Sequence, residues 1–159
     1  MIRDIKIIFN EDQVDRKQSD YWENTAYYTK RDLKRRLEVG ELLALNKLQT
    51  GEDLFQGAII FHHSENLEDL EKAKGLAERS IALAYDKAKW LYAAITDRML
   101  FITGEPQKYG TQFFKKNPTS KWELYKVDPS VTDQERVIYN VPNLDETRKQ
   151  ISKLNEGGV

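Results

Sequence analysis

The run from Lys87 to Thr103, KAKWLYAAITDRMLFIT, limits what this chain can fold into more than any other stretch. Its hydrophobic spacing is that of a helix. One face carries Trp90, Ala94, Asp97 and Phe101, and the neighbouring face carries Leu91, Ile95, Arg98 and Ile102. Two adjacent charges therefore project from apolar stripes, and Lys87, Lys89, Thr96 and Thr103 are left as a wet side. A buried charge without a partner is strongly destabilising. Successive helical residues point about 100° apart, so Asp97 and Arg98 cannot simply satisfy each other. Other parts of the chain must bring polar partners to this helix, either as a structural ion-pair network or as a polar site.

The remaining segments read mostly as helices. IRDIKIIFNEDQVDRK places Ile5, Ile8, Phe9, Asp12 and Arg16 at helical spacing over roughly four turns. QSDYWENTAYY, from Gln18 to Tyr28, has no clear period and reads as a loop or short helical turn. TKRDLKRRLEVGELLALNKL is amphipathic, with Leu33, Leu37, Leu42 and Leu45 near one stripe. Thr50 and Asp53 have capping-box spacing ahead of GEDLFQGAIIFHH, although GAIIF alone would also suit a buried strand. Asn66 and Asp86 are expected to cap two further helices, and Gly104 with Pro106 to end the second of them. Beyond Pro106, TQFFKK and KWELYKV flank NPTS as a β-hairpin would. Thr132 with Glu135 is a second capping box, and Asn143 opens a last helix ended by Gly157 and Gly158. The expectation is a mainly α fold: a compact bundle of about six to seven helices in antiparallel pairs, with one small β-hairpin near residues 111–127. No linker divides residues 1–159, so one helical domain is expected.

Composition narrows the function. The formal charge of -1 gives no basic field for nucleic acid. The absence of cysteine removes disulfides, thiolate catalysis and Cys-ligated zinc. No apolar run is long enough for a membrane span, and Asp4 and Lys6 interrupt the only signal-like start. A soluble, cytoplasmic protein is expected.

Three further polar patches accompany Asp97 and Arg98. Asp12 and Arg16, flanking Gln13, continue the stripe of Ile5 and Ile8; they form either a surface ion pair or an inward one. His63 follows Ile59 and Ile60 at helical spacing, with His62 beside it. Such a histidine serves as a helix C-terminal group, a half-buried core residue or a proton-transfer group. The adjacent pair lacks metal-ligand spacing, so no metal and no cofactor is expected. Gly104, Pro106 and Gly110 shape a tight loop bearing Gln107, Tyr109, Thr111 and Gln112. These amides and hydroxyls suit a neutral polar ligand, and equally suit holding the loop to itself.

Together the patches resemble an uncharacterised family of bacterial helical domains with no assigned function. The matching residues are Asp12, Gln13 and Arg16; Ala58 leading to His63, with His62 where the family commonly has Gln; and Asp97, Arg98, Gly104, Pro106, Gln107, Tyr109, Gly110, Thr111 and Gln112. The resemblance covers roughly residues 9–113 and implies that the patches form one constellation. AKGLAERSIALAYDKAKWLYAA separately resembles a Sel1 or tetratricopeptide hairpin, but only one such unit is clear.

Two functions are expected from these residues. In the first, His63 is a general acid/base, Asp97 or Asp12 orients it or acts as a second base, and Arg16 and Arg98 hold an anionic group. Gln13, Gln107, Tyr109, Thr111 and Gln112 then complete a pocket for a small anionic or polar ligand, with hydrolysis or proton transfer as the chemistry. In the second, the chain is a non-catalytic binding or interaction module, open to a protein partner, and the polar set is a structural network.

Overall fold

The computed structural model describes residues 3–157. These form seven helices and one hairpin: α1 (Ile5–Asp15), α2 (Thr25–Ala44), α3 (Gly51–His62), α4 (Leu67–Ala82), α5 (Lys87–Thr103), β1 (Phe113–Phe114), β2 (Glu123–Leu124), α6 (Asp133–Ile138) and α7 (Leu144–Glu156). The mainly helical architecture and the small hairpin are those expected. β1 and β2 are antiparallel, with Phe113 opposite Leu124 and Phe114 opposite Glu123. No helix among the described residues is long and apolar enough to cross a membrane. The fold divides between Ala88 and Lys89, inside the first turn of α5, into two compact units.

The helix starts are set by local side chains. Thr50–Asp53 and Thr132–Glu135 both form reciprocal capping boxes. Asn66 accepts from the Glu68 amide at the start of α4, and Asn143 from the Glu146 amide at the start of α7. Asp4 does the same for α1 through the Lys6 amide, so the helix begins at Ile5, later than its apolar pattern suggested. α2 starts at Thr25, within the aromatic stretch expected to be a loop or short helical turn. Ile2, expected to open the first helix, and Gly158, expected to help end the last, lie outside the described residues.

In the first unit, α3 and α4 form an antiparallel pair. Ser80 Oγ donates to the Gly51 carbonyl at 2.6 Å, fastening the start of α3 to the end of α4. A Cβ on Gly51 would lie 2.7 Å from Tyr85 Cβ, so this approach requires glycine. α1 and α2 pack on α3, around a core that includes Ile8, Val39, Leu54, Ala58 and Ile60. α2 presents a different face from the expected one. Tyr28, Arg35, Val39 and Leu42 are buried, whereas Leu33, Leu37 and Leu45 are 51%, 63% and 53% exposed. The buried arginine turns the helix, for reasons given below.

In the second unit, α5 buries Leu91, Ala93, Ala94, Ile95 and Asp97, but Trp90, Phe101 and Ile102 are exposed, against the two-stripe expectation. The helix ends at Gly104, whose φ is +76°. The Gly104 amide donates to the Phe101 carbonyl and the Glu105 amide to the Leu100 carbonyl, which satisfies carbonyls the helix leaves open. Ala93, Tyr109, Val141 and Tyr139 form a small core. Asn155 on α7 exchanges two hydrogen bonds with the Trp122 backbone and so holds the hairpin.

Candidate functional site

The residues expected to act together fall into two groups. Asp12, Gln13, Arg16 and His63 belong to the first unit. Asp97, Arg98, Gln107, Tyr109, Thr111 and Gln112 belong to the second.

In the first unit, α1 turns Ile5, Ile8, Asp12 and Asp15 inward along one face. Asp12 is 1% exposed. Its Oδ1 lies 3.2 Å from His63 Nδ1, 3.3 Å from Arg16 and 3.6 Å from Arg35 Nε. Its Oδ2 accepts from the Gln13 amide at 3.0 Å. The inward alternative for Asp12 and Arg16 is therefore the one the fold adopts. Burial pushes the Asp12 carboxyl up, but the hydrogen bond and charge of His63, with Arg16 and Arg35, outweigh it and hold the carboxyl below its usual range. Asp15 behaves alike: burial raises it, and Arg31 and Arg35 bring it below the normal value.

Four members of this cluster lie outside the residues expected from sequence: Asp15, Arg31, Asp32 and Arg35. Arg35 is 2% exposed and bridges Asp15 at 2.7 Å and Asp32. Arg31 reaches Asp15 at 2.6 Å, and Arg16 reaches Asp32 at 3.0 Å. This lattice explains the orientation of α2, because Arg35 must face Asp12 and Asp15, and Leu33 and Leu37 then face outward. A signal was present. Asp12 and Asp15 share a face at i,i+3, and Arg31 and Arg35 share one at i,i+4.

His63 is the residue that closes α3, and its side chain is 19% exposed. Its ring stands 6.1 Å from that of His62. Arg16 lies over the Tyr21 ring at 5.2 Å and donates to its hydroxyl. No group of three or more His, Asp or Glu side chains that could hold a metal ion occurs among the described residues.

The second cluster has different partners. Asp97 is fully buried. Its Oδ1 accepts from the Lys108 and Tyr109 amides at 2.8 and 3.0 Å. Its Oδ2 accepts from the Thr111 amide and hydroxyl at 2.9 and 2.8 Å. Three peptide groups and one hydroxyl of the same loop thus hold Asp97. Gln107, 0% exposed, is also occupied. Its Oε1 accepts from the Gln112 amide at 2.8 Å, and its Nε2 donates to the Gln112 and Tyr125 carbonyls. Its backbone bonds to Lys126 and Asp128. Thr111 and Gln112 are half-buried in the same loop, as Arg98 is on α5.

Arg136 on α6, unmarked by any sequence pattern, completes this loop. It is 1% exposed, and its guanidinium donates to the Lys108, Tyr109 and Val131 carbonyls. The loop's amides point to Asp97 and two of its carbonyls to Arg136. Gly110, at φ +88°, makes the turn between them, and a Cβ there would meet Leu144 at 3.0 Å. Tyr109 packs on Tyr139 at 5.0 Å, and Tyr139 stacks on Tyr92 at 5.1 Å. Burial, then the neighbouring phenols, push the Tyr109 hydroxyl well above its usual range.

In comparison with known proteins, no family model, no curated protein and no solved structure matches this chain.

Proposed function

We propose that the first unit carries a proton-transfer site for a small anionic or polar substrate, with His63 as general acid/base and Asp12 as its positioning carboxylate. The contact between His63 Nδ1 and Asp12 Oδ1, at 3.2 Å, carries this reading. Asp12 is fixed by Arg16, Arg35 and Gln13, so it can set the tautomer and direction of the ring. With Nδ1 on Asp12, Nε2 is the nitrogen that exchanges a proton with substrate. Charge supports the anionic preference. Arg16, Arg31 and Arg35 balance Asp12, Asp15 and Asp32, so a protonated His63 leaves one positive charge in excess. Hydrolysis or proton abstraction follows from such a group. Asp97 and Gln107, committed to their own loop, hold structure rather than substrate in this reading.

A second reading rests on the same balance. Each aspartate of the lattice already meets an arginine, as a purely architectural network requires, and the chain is then a non-catalytic binding or interaction module.

A thermal-shift screen of small carboxylates and phosphates against wild type and His63→Gln separates the two. A ligand that binds the folded state raises its apparent stability. The proposed site predicts stabilisation by an anion that is weakened or lost in His63→Gln. It also predicts that turnover of that ligand falls roughly 10²–10⁴-fold in the variant. Binding that is unchanged in His63→Gln would remove His63 from the site.

A further inference from the structure

The orientation that buries Arg35 leaves the opposite face of α2 uncovered. Leu33 and Leu37, 51% and 63% exposed, sit one turn apart at its centre. Around them Ala26, Lys30, Gly40 and Ala44 continue the same stripe with the alternating three- and four-residue spacing of a helix-pairing seam. Gly40 is unexplained by the chain itself. A Cβ there would meet nothing within 4 Å, yet glycine weakens the interior of a helix. Close approach by a second helix gives it a reason.

We infer that two copies of this chain associate through α2, packed antiparallel about a two-fold axis beside Leu33 and Leu37. The stripe is self-complementary in that arrangement. Leu33 of one copy meets Leu37 of the other, and Ala26 meets Ala44. The stem of Lys30 crosses Gly40 of the second copy, and its ammonium reaches Glu41 of that copy. Both ends of the seam therefore carry an attractive pair. A parallel arrangement would set Lys30 against Lys30 and Glu41 against Glu41, so charge selects the antiparallel one. Arg36, on one flank, is engaged with Asp69 at 3.2 Å and does not compete. Lys34 stands on the same flank as Glu41, about 20° further round, and beside the axis it faces the Lys34 of the second copy, one like-charged pair against the two attractive ones. α2 is 20 residues long, about 30 Å of helix. This is a narrow seam compared with the roughly 800 Å² per partner of stable complexes, so the association is concentration-dependent.

Sedimentation equilibrium of the full chain over a concentration series tests this. The mass should rise from the 18.6 kDa monomer towards the dimer. Leu33→Glu with Leu37→Glu should remain monomeric with unchanged helical circular dichroism, because both side chains are exposed. Lys30→Glu and Glu41→Lys should each weaken self-association roughly tenfold or more, and mixing the two variants should restore it, since each then supplies the charge the other lacks. The inference is overturned by a wild type that stays monomeric throughout, by a double glutamate variant that dimerises normally, or by Lys30→Glu pairing with wild type in preference to Glu41→Lys.

Discussion

Asp12 and Asp97 are both almost completely buried on helices, and they are held by different kinds of partner. Asp97 meets backbone amides and one hydroxyl, all from a single short loop. Asp12 meets a histidine, two arginines and a glutamine drawn from three separate stretches of chain. The first arrangement uses neutral dipoles that exist only when the loop has one shape, so it works as a fastener. The second uses charged and polar side chains from separate helices, so it ties those helices to one another. Two carboxylates buried to the same degree can thus be held in quite different ways.

The comparison can be broken most directly at Arg35. Arg35→Ala leaves Asp12 and Asp15 without their shared buried cation and should destabilise the protein by about 3–5 kcal/mol. If chemical denaturation shows a loss near that of a surface substitution, the lattice is dispensable.

Asp97→Ala comes next, at about 3 kcal/mol or more, because several buried amides lose their acceptor together. The paired control is Lys108→Ala. Asp97 contacts the Lys108 amide and not its exposed side chain, so this change should stay within about 0.5 kcal/mol. Urea midpoints that shift equally for the two variants would show that side chains, not the backbone, carry the loop.

Acid should act on the first unit through Asp12 and Asp15, both held below their usual range. A folded-state value below the unfolded one gives a stabilisation that is complete above about pH 4 and disappears as pH falls through the lower folded value. Stability measured from pH 6 down to 2 should therefore drop at the acid end. The drop should be shallower in Asp15→Asn, where one of the two titrating groups is gone.

The smallest effect compares two helix ends. Ala84 closes α4 at φ +59° and Gly104 closes α5 at φ +76°. The Tyr85 amide bonds back to the Ser80 carbonyl just as the Glu105 amide does to Leu100. A left-handed alanine is strained by about 1 kcal/mol relative to glycine. Ala84→Gly should thus raise stability by up to that amount and Gly104→Ala lower it similarly, read as opposite shifts in Tm.

What could be read from sequence was local. Both capping boxes and the Asn66 and Asn143 caps depend on residues three positions apart or fewer, and the structure has them. The hairpin was marked by its turn residues. The α2 face was misread because leucine dominates any hydrophobic pattern, whereas the actual inward face is organised by Arg35 meeting aspartates on another helix. The need for partners at Asp97 was legible from its apolar stripe. That those partners are peptide groups was not, because every residue type has an amide. Arg136 left no trace for the same reason, since it binds carbonyls.

The double hold on the 107–112 loop also sets a clock. The side chain of Lys108 stands in solvent while its amide is sealed against Asp97, and the Tyr109, Thr111 and Gln112 amides are engaged inside the fold as well. An amide in that position exchanges its hydrogen only when the structure around it opens. A segment with no helix and a water-facing lysine should therefore keep its protons as long as the core of α5 does, and its peptide bonds should be among the last that a protease reaches.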